Sequence, residues 1–219
     1  MPSDPKIICD DDHRYYVRVD EVMREMPSVT TIMKDVGYYP WAFGVSRDKP
    51  EMEIKFPTEQ EEELQQKLDT AAQRGTAVHQ ITEDLDRTGE LPDEIAPELE
   101  PYIDAYLDFK NQNNLEITAI EEFVYNEEFW YAGALDRVMT INGVRAIVDL
   151  KTGQTACTTG VQLAAYLYAY QSMVDNGEFT RFGLHLRPNG TYKLVPYKNN
   201  QDLANFLAAV RVYHYKRNI

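Results

Sequence analysis

Cysteine is scarce: Cys9 and Cys157 are the only two among 219 residues. That number excludes a four-cysteine zinc site or iron–sulfur cluster within the chain, and their separation suits two free thiols in a reducing compartment. Long apolar runs are missing as well. None approaches the roughly 18 residues that a membrane span needs, so no membrane partner is expected. The stretch from Met1 to Asp12 is polar and acidic, unlike a signal peptide or an Arg-rich transit peptide, and cytoplasmic residence is the plain expectation. There is no G-x-x-x-x-G-K-[ST] phosphate loop, so any strand unwinding would need a partner protein.

Positive charge is the other shortage. Lys and Arg number 22 against 36 Asp and Glu, for a net charge of −14. Such a chain repels phosphate over most of its surface and is not built to coat nucleic acid. Carboxylates that gather a divalent cation reverse the sign locally. The acidity therefore counts against a nucleic-acid-binding module far more than against an enzyme that meets phosphate through a metal.

What is present supports a sizeable core, with 43% apolar residues. Tyr15 to Val19 reads as a short strand. A helix starts after Pro27, with Ser28 as N-cap. From Gly37 to Pro57, prolines and glycines predict irregular chain. Thr58-Glu59-Gln60-Glu61 is a capping box that opens a long helix, with a bend expected at Gly75 and an end at Gly89 and Pro92. Leu99, Tyr102, Ile103, Tyr106 and Leu107 give an apolar stripe on a helix from about Ala96 to Lys110. Three strands follow, over 117–125, 132–141 and 144–150. Then come a helix over 161–173, a hairpin of 181–187 with 192–196 turning at Asn189-Gly190, and a last helix over 201–216. The order predicts an α+β (mixed α/β) domain spanning 1–219, its central mixed sheet flanked by helices. Its helical N-terminal elaboration runs over about 58–110 and its sheet-containing core over about 115–217.

Asn142-Gly143 is a strong type I′ hairpin signal. With Ile141 opposite Val144, stepping back along both strands brings Asp136 opposite Asp149 on one face. Like charges so placed destabilise a sheet, so a raised pKa or a bound cation must offset the repulsion. Lys151, two residues beyond Asp149, projects to the same face, and Arg137 should point away from it. Two carboxylates with water and phosphate oxygens suit Mg2+ or Mn2+. A lysine beside them can orient an attacking water or stabilise a phosphorane-like transition state.

Gly133-Ala134-Leu135-Asp136 followed by Val148-Asp149-Leu150-Lys151-Thr152-Gly153 resembles the PD-(D/E)XK nuclease superfamily, and within it the RecB-like exonuclease branch of phage and mitochondrial genome-maintenance nucleases. The resemblance runs over about residues 13–217 and implies a restriction-endonuclease-like core. It implies that Asp136 and Asp149 bind metal, with the carbonyl of Leu150 as a further ligand, and that Lys151 is catalytic. Gly75-Thr76-Ala77-Val78-His79 looks like the upstream G-x-x-x-H motif, which makes His79 a metal ligand. Glu83, one turn on, shares its face. Gln162-Leu163-Ala164-Ala165-Tyr166 looks like the Q-x-x-x-Y motif, whose amide and phenol can contact a DNA phosphate or hold Lys151, while the tyrosine can stack on a base. Arg74, Arg137 and Arg187 are candidate backbone contacts.

The expectation is metal-assisted hydrolysis of DNA, from a single-stranded or duplex end, by attack of an activated water. A recombination or replication protein is a conceivable partner. The alternative is a DNA-end-binding or recombination-assembly protein of the same fold without catalysis. A two-carboxylate glycosidase fits less well, since directly opposed acids sit too close for inversion and the lysine has no task there. A purely structural domain with wet acidic residues would bind no metal.

Overall fold

The computed structural model describes residues 6–10, 13–38, 59–153 and 156–218. The stretch expected to be irregular, from Gly37 to Pro57, falls almost wholly outside these residues, as does Thr58 of the capping box.

Two sheets form. The smaller is an antiparallel meander of β1 (Ile7–Cys9), β2 (Tyr15–Val19) and β3 (Val22–Met26). Its second turn, Asp20-Glu21, has positive φ at both residues (50° and 62°). That is the geometry of a type I′ turn without the Asn-Gly pair that announces one, which is why β3 left no signal in the sequence. The larger sheet has the order β4-β5-β6-β7-β8, from β4 (Leu115–Asn126), β5 (Tyr131–Ile141), β6 (Val144–Lys151), β7 (Thr180–Leu186) and β8 (Tyr192–Pro196). All neighbours pair antiparallel except β6 and β7, which run parallel. The sheet is therefore mixed, and the architecture is the expected α+β arrangement.

Asn142 (φ 50°) and Gly143 (φ 85°) make the type I′ turn, and Ile141 pairs with Val144 as their chemistry requires. The parallel β6–β7 pair needs a crossover, supplied by α4 (Cys157–Met173). The middle of α4 is enclosed by the sheet, α1 (Val29–Asp35) and α5 (Gln201–Arg217), so its buried positions run nearly all round, from Thr159 through Gln162 to Tyr170.

Helices cover both faces. On one, α2 (Glu59–Thr88) and α3 (Glu100–Gln112) set Val78, Ile103, Tyr106 and Phe109 against Met139, Val148, Leu150 and Leu184. On the other, α1, α4 and α5 enclose Val138 and Ile147. The long helix α2 is continuous through Gly75, where a bend was expected, because the tertiary contacts of its C-terminal half outweigh the roughly 1 kcal/mol that one glycine costs a helix.

Helix α1 is short and depends on its cap. The Ser28 hydroxyl accepts the Thr31 N–H at 2.9 Å, and Val29, Ile32 and Met33 behind it are buried. Ser28→Ala is expected to lower stability by about 1 kcal/mol and the melting temperature by about 2–4 °C. Calorimetry on the two proteins tests this, and an unchanged melting temperature would mean that packing alone holds α1.

Candidate active site

The hairpin register holds from Ile141↔Val144 to Arg137↔Val148, and recorded pairing stops there, one step short of Asp136 and Asp149. The side-chain alternation of β5 slips at this point. Tyr131 and Leu135 lie in the core beneath α4, and so does Val138, whereas Met139 and Ile141 face α2 and α3. On β4, Glu121 takes a positive φ of 50° between the pairs Ile120↔Arg137 and Glu122↔Leu135. The β5–β6 pairing thus does not extend to the expected opposed acids, and each takes its own partner. Asp136, at the slip, accepts the Leu150 N–H at 2.6 Å, while Asp149 holds Lys151 Nζ at 2.7 Å.

His79 completes the arrangement from α2. Its Nδ1 lies 3.6 Å from Asp136 Oδ2, and its Nε2 lies 3.0 Å from the Leu150 carbonyl oxygen. The donor atoms of His79, Glu121 and Asp136 all fall within 4.8 Å of one another. Glu121 was missed in the sequence, where it is one of two adjacent glutamates on a strand. Only the pairing of β4 with β5 carries it to Asp136. Glu83 instead pairs with Arg87 at 2.8 Å.

Lys151 is held from the other side. Its Nζ lies 3.4 Å from Gln162 Oε1, and the Gln162 amide donates to the Tyr166 hydroxyl at 3.1 Å. Gln162 and Tyr166, i and i+4 on α4, are 8% and 5% exposed. At that burial Tyr166 offers no face for a base to stack on, and the pair braces Lys151. Gly133 makes room for the brace, since a Cβ there would stand 2.6 Å from the Tyr166 ring. The glycine of one motif is thus required by the tyrosine of another.

One further expectation is revised. Arg137 is buried against Asp86 at 2.8 Å and cannot reach a DNA backbone. Arg74 lies over the Tyr102 ring, and Arg187 is exposed at the β7–β8 turn. His185, unremarked in the sequence, pairs across the parallel strands with Lys151, and its Nδ1 lies 3.3 Å from the Gly153 carbonyl. Burial pushes its pKa down, which favours the neutral ring.

The acids bear the cost of their placement. Burial raises Glu121 to about 7; nearby Asp136 adds to the rise, and His79 and Arg137 oppose it. Burial also raises Asp149 to about 6, with Lys151 pulling it down and Asp136 pushing it up. One imidazole, carboxylate oxygens and a carbonyl form a donor set that fits a divalent cation.

The sequence profile of the PD-(D/E)XK nuclease superfamily matches residues 53–212, and the chain belongs to that superfamily. Its members are nucleases that typically use divalent metal, and DNA is the substrate the membership implies. No curated protein matches the chain. Among the described residues, no helix is long and apolar enough to cross a membrane.

Two predictions follow from this geometry. Glu121 and Asp149 keep protons in the folded chain at a pH where the unfolded chain has lost them, so their share of stability falls as pH rises from about 4 through 7. A cation competes with those protons. The rise in melting temperature on adding Mn2+ should therefore be larger at pH 8 than at pH 6, and should depend less on pH in Glu121→Gln. A rise equal at both pH values in the wild type would contradict this. Separately, Gly133→Ala should cost about 1–3 kcal/mol in denaturant unfolding, because the Tyr166 ring has to move.

Proposed function

We propose that this chain is a Mg2+- or Mn2+-dependent deoxyribonuclease of the RecB-like branch that hydrolyses phosphodiester bonds from a DNA end. The observation that carries the reading is the convergence of His79, Glu121, Asp136 and the Leu150 carbonyl from three strands and a helix, beside a lysine braced by Gln162 and Asp149. A structural domain has no use for acids so placed, because their mutual repulsion weakens the fold unless a cation answers it.

In this reading His79, Asp136, Asp149 and the Leu150 carbonyl hold the ion, with Glu121 as an additional carboxylate. A bound divalent cation supplies Lewis acidity, offsetting charge on the phosphate and lowering the pKa of water. Lys151, fixed between Asp149 and Gln162, presents its ammonium where the attacking water and the crowded phosphate meet. There it orients the nucleophile and stabilises negative charge as it builds. Gln162 and Tyr166 keep Lys151 from swinging out. Asp149 serves twice, steadying Lys151 and offering an oxygen to the ion.

End-directed action is supported by α2. It passes the C-terminal end of β6, with His79 against Leu150 and Gly75 close to Thr152, and so covers one side of the site. We read residues 58–110 as an elaboration of one nuclease domain that narrows access to a strand end.

The test is degradation of end-labelled linear DNA, single-stranded and duplex, and of circular DNA, with Mg2+, Mn2+ or EDTA. Metal-dependent loss of linear but not circular DNA is expected, with a drop of about 10²-fold or more in Lys151→Ala. A folded protein that digests none of these substrates with metal present would instead be a DNA-end-binding or recombination-assembly protein.

A further inference from the structure

A buried ion pair lies directly behind the site, and the mechanism above gives it no task. The side chains of Asp86 on α2 and Arg137 on β5 are 0% and 1% exposed, and Arg137 Nε donates to Asp86 Oδ2 at 2.8 Å. The same carboxylate accepts from Lys110 Nζ at 2.6 Å and from the Tyr106 hydroxyl, both on α3. In the other direction Arg137 Nη1 donates to the Asp136 carbonyl at 2.7 Å and lies 3.5 Å from the Glu121 carboxylate.

Stability does not account for this arrangement. A buried ion pair replaced by well-packed apolar side chains is often neutral or stabilising, because two charges have to be stripped of water to form it. Such a pair does specify geometry. Asp86 follows His79 by seven residues, two turns along α2, and so lies on the same side of the helix. Arg137 follows Asp136 directly. The pair therefore ties α2 to β5 at a point parallel to the gap between His79 and Asp136.

The other directional ties from α2 to the sheet, among the described residues, are His79 itself and the largely exposed Arg87, whose Nη2 donates to the Ile120 carbonyl at 3.0 Å. Among its described residues Val78 and Leu85 are the buried apolar side chains, and apolar contact is non-directional, so it tolerates sliding and rotation. A slide of one residue is about 1.5 Å along the axis, enough to take His79 out of reach of a shared ion. A buried guanidinium held between the Asp86 carboxylate through Nε and the Asp136 carbonyl through Nη1 has directional bonds that such a slide would break.

We propose that the Asp86–Arg137 pair positions the metal site. It sets the height of His79 against Asp136 and the Leu150 carbonyl, and places a fixed cation behind Glu121 and Asp136. Neither residue touches the ion or DNA, and both act through the ligands. This rests on the reading of the site as a metal centre.

The test is Mn2+ binding to the full chain without DNA, followed by the electron paramagnetic resonance of free Mn2+, in wild type, Asp86→Asn, Arg137→Lys and Val210→Ala. Val210 is 1% exposed on α5, in the core on the far face of the sheet, and its truncation serves as a control for lost stability. Asp86→Asn and Arg137→Lys should weaken Mn2+ binding about 10–100-fold, as loss of an outer partner of a metal ligand does. The Mg2+ needed for half-maximal digestion should rise to match, with most of the maximal rate regained at saturation. Val210→Ala should lower the melting temperature and leave Mn2+ affinity alone. Arg137→Lys retains a cation and carries the test if Asp86→Asn fails to fold. Variants that melt earlier yet bind Mn2+ within about twofold of wild type, against the 10–100-fold expected, would overturn the positioning role alone. A wild type that binds no Mn2+ would overturn the metal-centre reading as well.

Discussion

Carboxylates gathered where water is thin repel one another, and the structure around Glu121, Asp136 and Asp149 is organised by the need to answer that repulsion. Positive or dipolar partners reach them from several elements. Lys151 comes from their own hairpin, the Leu150 N–H from the neighbouring backbone, Arg137 from behind and His79 from a helix far upstream. The proton affinities of Glu121 and Asp149 are raised chiefly by burial, with the charge of Asp136 adding to both. A site of buried acids placed in this way is prepared for a cation.

Strand β5 makes the arrangement possible by changing faces. Up to Leu135 it serves the layer of α4, and from Arg137 its odd positions serve the layer of α2 and α3. Asp136 falls at the change, and Glu121 on the adjacent strand adopts a left-handed conformation beside it. Irregularities of this kind cost a sheet regular pairing and re-aim side chains. Here they direct one acid toward α2 while Asp149 keeps Lys151 on the side of α4. The brace of Gln162 and Tyr166 then depends on Gly133 leaving space in the same strand.

The strongly acidic composition has a counterpart in where the cations are used. Arg181 is committed to Asp202, Arg145 to Asp175, Lys216 and Arg217 to Asp35, and Arg137 and Lys110 to Asp86. These pairs engage cations within the fold, and the chain as a whole keeps its net charge of −14. In the proposed function, attraction for a phosphate is concentrated at the site, where a bound ion and Lys151 would supply it, and does not come from a basic surface.

Much of this was legible in the chain itself, because turn chemistry and side-chain period are local. Asn142-Gly143 determined the hairpin and its register, the two-residue spacing placed Asp149 and Lys151 together, and the four-residue spacing did the same for Gln162 and Tyr166. The Ser28 cap and most element boundaries were readable for the same reason. The tertiary structure alone decided that Glu121 joins His79 and Asp136, that Asp86 claims Arg137 from 51 residues away, that β6 and β7 run parallel, and that the ladder breaks at Asp136. None of these has a local signature. Each depends on which surfaces of distant elements pack together, and apolar packing is collective and non-directional, so no short stretch of sequence encodes its outcome.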